Sequence, residues 1–160
     1  MTSKQRPNGR NADDALIDTV NLRLLDELQA DARVTLAELG RRVGLSAPAV
    51  AERLQRLRDG GVITAYRTEV DPRALGLALS VVLRVRPASR QLGKVIEVAR
   101  VSSEVVECHR ITGEDCFFMK LHVRDVDHLE EVIDRFVPYG QTTTSIMQSS
   151  PVLPRGLAIA

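Results

Sequence analysis

The side chains best suited to chemistry in this sequence lie between residues 46 and 56, on one side of a predicted helix. Arginine can pair with guanine through two hydrogen bonds, glutamine can pair with adenine, and glutamate can accept a hydrogen bond from cytosine. Small residues near the start of the same helix would let it sit close to base edges. The residues predicted to face DNA are Ser46, Pro48, Ala49, Glu52, Arg53, Gln55 and Arg56.

Two short amphipathic helices, joined by a tight turn at residues 43–45, are predicted to position these side chains. Thr35 and Glu38 have the spacing of a capping box, Gly44 suits a left-handed helix end, and Ser46 suits the cap of the second helix. The apolar positions expected to be buried are Leu36, Leu39, Val43, Val50, Leu54 and Leu57. This layout is that of a helix-turn-helix, whose second helix enters the DNA major groove.

Positive charge is concentrated around these two helices. The whole chain has a net charge of only +1, which argues against a non-specific binder driven by charge. Between residues 33 and 58, however, six arginines are set against two acidic residues. Arg33, Arg41, Arg42 and Arg58 are predicted to contact phosphates, which position a protein without reading sequence. With 3% aromatic residues and no tryptophan, single-stranded nucleic acid is a poor partner, and double-stranded DNA is expected.

A further helix is predicted before this pair, from Asp18 to Asp31. Its inward-facing residues are predicted to be Leu22, Leu25 and Leu28. Three such helices can share a small core, which favours DNA binding over a plain helical hairpin with a solvated arginine face. After Gly60-Gly61, residues 62–67 are rich in strand-forming types and are predicted to form the wing of a winged helix-turn-helix.

The second half of the chain alternates between strand and helix patterns. The predicted elements are a strand at Leu79–Val85, a helix capped by Ser89, strands at Val105–Ile111 and Cys116–Val123, a helix with a capping box at Asp127 and Glu130, and a strand at Thr142–Ser149. This β-α-β-β-α-β order predicts a ferredoxin-like domain, so the fold class is α+β. We expect one sheet face to be bare but to carry apolar residues such as Val82, Val106 and Met119 or their alternates, and to be covered by a second copy in a dimer.

Length and composition suit two small domains. We expect a disordered tail at 1–13 whose Lys4, Arg6 and Arg10 touch DNA weakly, a winged helix-turn-helix domain at 14–68, a connector at 69–78 and a ferredoxin-like domain at 79–155. No signal peptide and no apolar run long enough to span a bilayer is visible. The two cysteines lack the setting of a disulfide scaffold, so a reducing cytoplasm is expected, with no membrane partner.

The sequence resembles the Lrp/AsnC family of transcription regulators over roughly residues 17–154. Many marks in the right order carry the resemblance, and no single one would suffice. They are Asp31-Ala32-Arg33, Leu39–Ser46, Arg53–Leu57, Gly61-Val62-Ile63 with Tyr66, Asp71-Pro72, Leu75-Gly76, Val105–Cys108, Ile111–Asp115 and Thr142–Ile146.

The resemblance implies a regulator domain that dimerises, often assembles into octamers, and binds an amino acid or a related metabolite in clefts between such domains. The turn that lines this cleft in the family corresponds to Thr112, Gly113, Glu114, Asp115 and Cys116. Many members place an aspartate three residues after the glycine to hold the ligand's ammonium group, where this chain has Cys116. Either Glu114 or Asp115 supplies the negative charge instead, or the site has another preference.

An amino-acid effector needs an anion for its ammonium group and donors for its carboxylate. Backbone amides around Gly113 and the hydroxyls of Thr142, Thr144 or Ser145 are candidate donors. The alternative interpretation of the same residues is a tight hairpin turn followed by a threonine-rich edge strand.

Two other kinds of function are disfavoured. Cys108, His109, Cys116, His122 and His128 do not match the spacing of structural zinc sites, so we expect neither a metal nor another cofactor. No nucleophile–base pair, phosphate-binding glycine loop or paired carboxylates point to an enzyme. A helix-turn-helix protein without an effector, acting as an architectural DNA organiser, stays the alternative to a regulated DNA-binding protein.

Overall fold

The computed structural model describes residues 16–159, which form two compact units. One unit joins residues up to Thr68 with the C-terminal segment that starts at Leu153, and the other spans Glu69–Val152. The predicted tail at 1–13, with Lys4, Arg6 and Arg10, lies outside the described residues. No helix of the described part is long and apolar enough to cross a membrane.

The first unit contains the predicted helix-turn-helix, which is confirmed. Its helices are α1 (Thr19–Ala30), α2 (Leu36–Val43) and α3 (Ala47–Asp59). The hydroxyl of Thr35 accepts a hydrogen bond from the Glu38 amide at 3.2 Å, and the Ser46 hydroxyl accepts one from Ala49 at 3.4 Å. Gly44 follows α2 with φ of 77°, the left-handed conformation that glycine adopts at little cost.

The core of this unit differs from the expected one at two places. Leu36 is 41% exposed rather than buried, and α1 buries Leu24 and Asn21 more fully than the predicted leucines. Those leucines, Leu22, Leu25 and Leu28, are half-buried. Asn21 is polar, so a pattern of apolar residues cannot predict its burial. Its side-chain amide donates to the Leu16 carbonyl at 2.9 Å, which gives the buried group the partner it needs.

The predicted wing at residues 62–67 is wrong for the described chain, because this segment forms no strand. Residues 64–70 run without regular structure and are exposed. Thr68, Glu69 and Val70 offer no glycine or asparagine for a tight hairpin turn, and Asp71 then caps a 3₁₀ turn at Pro72–Leu75. A returning strand is therefore missing.

The second unit has the predicted β-α-β-β-α-β order, so the ferredoxin-like domain is confirmed. Its elements are β1 (Leu79–Pro87), α4 (Leu92–Val101), β2 (Val105–Arg110), β3 (Phe117–Val123), α5 (Val126–Asp134), a 3₁₀ turn (Val137–Tyr139) and β4 (Gly140–Ile146). The four antiparallel strands are ordered β2-β3-β1-β4. Asp125 rather than Asp127 caps α5, since its carboxylate accepts from the His128 amide at 2.7 Å. Gln91 rather than Ser89 precedes α4.

One face of the sheet forms the core of this unit together with α4 and α5. Val81, Leu83 and Val85 of β1 are fully buried there, and so is Met119, which the sequence pattern had placed among candidates for the bare face. Alternation sends the neighbours of these residues to the open face. That face is mainly polar, with only Val82 and Phe118 contributing apolar side chains among Ser80, Arg84, Arg86, Glu107, His109, Lys120, His122, Gln141, Thr143 and Ser145.

Candidate DNA-reading and effector sites

The exposed side of α3 carries most of the side chains predicted to read DNA. Ser46, Pro48, Glu52, Gln55 and Arg56 are exposed, and Ala49 is half-buried beside them. The Arg56 side chain is 57% exposed, and its Nε lies 4.0 Å from the nearest Glu52 carboxylate oxygen. Such an exposed pair contributes little to stability, so this guanidinium is available to a partner.

Two of the predicted readers already have partners inside the unit. The Gln55 amide donates to the Asp59 carboxylate at 2.8 Å and its carbonyl accepts from Arg58. Arg53 points towards the start of α1, where its Nη1 donates to Asp18 at 2.5 Å and to Asn21 at 3.0 Å.

The contacts of Arg53 tie α3 to the N-terminus of α1. Only 24% of the Arg53 side chain is exposed, and its hydrogen bond lowers the pKa of Asp18. The geometry therefore makes Arg53 a residue that positions the reading helix, whereas Arg56 on the same helix is exposed. Helical spacing placed Arg56 on the exposed face and Arg53 at its flank. It could not reveal the partner of Arg53, because Asp18 lies 35 residues away.

Two of the arginines predicted to bind phosphate, Arg41 and Arg42, lie in the last turn of α2. Arg41 and Arg42 both donate to Glu38, at 2.6–2.8 Å, and Arg42 also reaches Glu27 at 2.5 Å. The hydrogen bonds from Arg41 and then Arg42 lower the pKa of Glu38 to about 2. Glu38 thus binds these arginines rather than completing the capping box. Arg41 keeps 74% of its side chain exposed, and Arg33 is exposed after α1.

The predicted effector turn connects β2 and β3. Gly113 has φ of 111°, which only glycine adopts readily, and the Ile111 amide donates to the Cys116 carbonyl at 3.0 Å to close the turn. Thr112, Gly113 and Glu114 are exposed, whereas Asp115 is half-buried. Cys116 packs against the core of the unit, so its side chain is no substitute for a ligand-binding carboxylate.

Both carboxylates of this turn pair with arginines of β1 that were not predicted as site residues. Arg86 donates to the Glu114 carboxylate at 2.5 Å and to the Glu114 backbone carbonyl at 3.1 Å. The Nη1 of Arg84 lies 3.4 Å from the Asp115 carboxylate. The sequence could have indicated these arginines through the alternation Leu83-Arg84-Val85-Arg86. In a strand, this alternation places both arginines on the face opposite the core.

The hydroxyl groups predicted on β4 are divided between the two sheet faces. Ser145 lies opposite Val82, on the open face, whereas Thr142 and Thr144 lie opposite Val85 and Leu83, on the helix-covered side. The predicted effector residues are therefore not all brought together. Within residues 16–159, no group of three or more His, Cys, Asp or Glu side chains is placed to hold a metal ion.

Comparison with known proteins agrees with both units. Residues 17–58 match the AsnC-type helix-turn-helix domain and residues 80–157 match the Lrp/AsnC ligand binding domain. The chain is 31% identical to the transcriptional regulator LrpC of Bacillus subtilis over 83% of its own length and 92% of that protein's. The solved structure of LrpC superimposes with a TM-score of 0.81 at 30% identity, covering 86% of this chain and 99% of LrpC.

Two further solved structures extend the comparison. The leucine response regulatory protein LrpA of Mycobacterium tuberculosis has a TM-score of 0.79 at 31% identity and covers 90% of this chain and all of its own. A transcriptional regulator of Neisseria meningitidis in complex with L-Met has a TM-score of 0.82, covering 89% of this chain and 96% of its own, and at 23% identity it supports the fold alone. With a DNA-binding helix-turn-helix and a ligand-binding domain both matched, the chain belongs to the Lrp/AsnC family, whose members are transcriptional regulators and not enzymes.

Proposed function

We propose that this regulator reads double-stranded DNA through the exposed side of α3, with Arg56 as its main base contact. The observation that carries the proposal is the arrangement of Arg56 and Glu52 beside the small residues Pro48 and Ala49, which leave room for close approach to a groove. Arg33, Arg41 and Arg42 lie at the ends of α1 and α2, where phosphates would be contacted. The DNA-binding domain is assigned to 14–68 and the effector domain to 79–155.

The DNA assignment is tested by titrating DNA from upstream of the gene with the wild type, Arg56→Ala and Arg100→Ala. Arg100 is an exposed arginine of α4 in the other unit and serves as the control. We expect Arg56→Ala to weaken specific binding by about tenfold or more and to reduce discrimination between sequences. Equal binding by the two variants would contradict the assignment.

We propose that the effector is an amino acid and that it binds at the β2–β3 turn. An amino acid carries one positive and one negative group, and the turn brings Glu114 and Asp115 together with Arg84 and Arg86. The Neisseria meningitidis regulator that shares this fold was solved in complex with L-Met, so amino acids are the class of effector to test first. No other cofactor is proposed.

The effector is tested by a thermal-shift screen of the twenty amino acids on the full chain. Gly113→Asp is the control variant, because a side chain at φ of 111° is strained and would reshape the turn. We expect at least one amino acid to raise the melting temperature of the wild type but not that of the variant. A screen without any shift would favour the second function, an architectural DNA organiser.

We propose a homodimer that assembles further to an octamer in the cytoplasm, where its DNA lies and where Cys108 and Cys116 stay free thiols. We assign the dimer contact to the open sheet face, where Phe118 and Val82 lie among polar side chains, because a two-fold dimer brings the same surface of both copies together. Two-fold symmetry predicts an operator whose half-sites are about one helical turn apart. Sedimentation with and without the effector measures the assembly.

A further inference from the structure

Glu52 and Arg56 lie one helical turn apart on the exposed side of α3, and they are close without being tightly paired. The Arg56 Nε lies 4.0 Å from the nearest Glu52 carboxylate oxygen, and both side chains are more than half exposed. Gln55, a further polar residue on this side, is bound to Asp59 at 2.8 Å. The Glu52–Arg56 pair is therefore the part of the reading surface that can turn to DNA as a unit.

The carboxylate of Glu52 is the less expected member of this pair, because DNA repels it. Double-stranded DNA carries one negative charge for about every 1.7 Å of its axis. An ionised carboxylate only accepts hydrogen bonds, so in the major groove it needs an amino group. Cytosine presents its amino group alone, whereas adenine places an acceptor beside its own. Glu52 therefore penalises sequences that lack a cytosine at its position.

A single G·C base pair offers partners for both side chains next to each other. Arginine binds the two major-groove acceptors of guanine, and glutamate accepts from the amino group of cytosine. One of those guanine acceptors is hydrogen-bonded to that amino group within the base pair, so the two atoms lie about 2.9 Å apart. The separation of 4.0 Å between the Arg56 Nε and the Glu52 carboxylate is close to what this base pair requires.

We propose that Glu52 and Arg56 read one G·C base pair together, with Arg56 on guanine and Glu52 on the cytosine paired with it. The inference rests on the proposed DNA contact of α3. Residues four positions apart are separated by about 6 Å along a helix, which is less than two base-pair steps of about 3.4 Å, so both side chains can reach the same pair. Glu52 is thus a specificity-determining residue whose carboxylate rejects wrong base pairs.

The two residues contribute to DNA binding with opposite sign where the G·C pair is absent. Arg56 attracts phosphates whatever the sequence, so removing it lowers affinity for any DNA as well as discrimination. Glu52 repels phosphates and is compensated only by cytosine, so removing it raises affinity for DNA that lacks the site. Loss of discrimination together with a gain in non-specific affinity is the signature that distinguishes Glu52 from an ordinary DNA contact.

The test is selection of binding sites from randomised double-stranded DNA by the full chain, followed by affinity measurements on the selected duplex. Each G·C pair of that duplex is replaced in turn by A·T, and a duplex without the site measures non-specific binding. The variants are Glu52→Gln, Glu52→Ala and Arg56→Ala. Asp26→Asn is the matched control, because it removes one negative charge from an exposed residue of α1 in the same unit. Urea midpoints confirm that each variant is folded.

We expect the wild type to lose affinity by about tenfold or more when one particular G·C pair is replaced. At that same pair, the preference of Glu52→Ala and of Arg56→Ala should fall to about threefold or less. On the duplex without the site, both Glu52 variants should bind about twofold more tightly than the wild type, and Arg56→Ala should bind more weakly. Asp26→Asn should keep the wild-type preference at this pair.

Three results would overturn this inference while leaving Arg56 as a DNA contact. They are a preference that Glu52→Ala keeps, preferences that Glu52→Ala and Arg56→Ala lose at different base pairs, and weaker binding of Glu52→Ala to the duplex without the site. If the wild type selects no base pair, or if Arg56→Ala loses neither affinity nor preference, the proposed DNA contact of α3 and this inference fail together.

Discussion

The amide of Leu45 donates a 2.8 Å hydrogen bond to the carbonyl of Gly40, and the Leu45 carbonyl in turn lies against the Cα of Gly40. A Cβ at residue 40 would collide with that carbonyl oxygen. Glycine at this position therefore sets how tightly the turn folds back on α2. Since the turn determines where α3 begins, the approach of these two residues positions the reading helix.

We predict that Gly40→Ala destabilises the DNA-binding unit by about 1–3 kcal/mol, because backbone has to shift to admit the methyl group. The measurement is urea unfolding of the full chain, together with DNA affinity under conditions where the variant is folded. Gly93→Ala in α4 is the matched control, since a Cβ there meets nothing within 4 Å. Within a helix, alanine is more favourable than glycine by about 1 kcal/mol, so the substitution by itself should not lower stability. If Gly40→Ala lowers the free energy of unfolding and Gly93→Ala does not, the loss comes from the collision with the Leu45 carbonyl.

Arg53→Ala is predicted to act on stability as well as on DNA binding. It removes the hydrogen bonds to Asp18 and Asn21, at a cost of about 1 kcal/mol once the partial exposure of Asp18 is allowed for. The readout is the urea midpoint of Arg53→Ala, Asp18→Asn and Arg56→Ala. The urea midpoints of Arg53→Ala and Asp18→Asn should fall by similar amounts, whereas that of Arg56→Ala should stay near the wild-type value. A drop in Arg56→Ala alone would reverse the roles given to the two arginines.

The carboxylate of Glu104 is predicted to make the regulator domain sensitive to acid. Burial by itself would raise the pKa of Glu104, but hydrogen bonds from Arg135 and His128, at 3.0–3.1 Å, outweigh it and lower the pKa to about 2. The unfolded chain, with a value near 4.5, then binds more protons than the folded chain between these two values. Stability is present above pH 4.5 and is lost as the pH falls towards 2.

The pH prediction is checked by urea midpoints of wild type, Glu104→Gln and Glu97→Gln across that acid range. Glu104→Gln should be less stable at neutral pH by about 1–3 kcal/mol and should show a flatter loss of stability in acid. Glu97 pairs with Lys94 on the exposed side of α4, so Glu97→Gln should follow the wild type. A Glu104→Gln curve parallel to the wild type would contradict the assignment.

Much of the fold follows from local chemistry, and this is why the sequence predicts it. Thr35, Gly44 and Ser46 act on backbone groups within four residues of themselves, so their spacing reveals the helix-turn-helix. The pairs Asp18 with Arg53 and Arg86 with Glu114 join residues 35 and 28 positions apart. Composition and spacing do not reveal which residues become such long-range partners, so the contacts that Arg53 and Glu114 make within the protein could not be predicted from the sequence.

The Gln29 side chain of α1 binds the C-terminal segment to the DNA-binding unit through two hydrogen bonds. The Gln29 amide donates to the Leu157 carbonyl at 3.0 Å, and the Leu157 amide donates to the Gln29 carbonyl at 2.6 Å, so one side chain of α1 pairs with both backbone groups of one residue. A Cβ at Gly156 would press on this same side chain. Residues 157–159 thereby line a groove of about 550 Å³ with Leu22, Leu25 and Leu28.

We predict that Gln29→Ala releases this segment, because both hydrogen bonds are lost and alanine cannot replace either. Hydrogen exchange of the Leu157 amide should become faster, by about fivefold for a contribution near 1 kcal/mol, and the half-buried leucines of the groove should lose protection with it. Gln148→Ala, at an exposed glutamine outside the DNA-binding unit, is the control. The chain joins the two units covalently at residue 69, and the segment that follows residue 152 is held in the DNA-binding unit by non-covalent contacts. Release at Leu157 therefore leaves the chain around residue 69 as the remaining link. Effector-induced changes in DNA affinity should therefore weaken in Gln29→Ala while effector binding itself is unchanged, and a variant that keeps the full coupling would show that the signal passes through residues 69–78 alone.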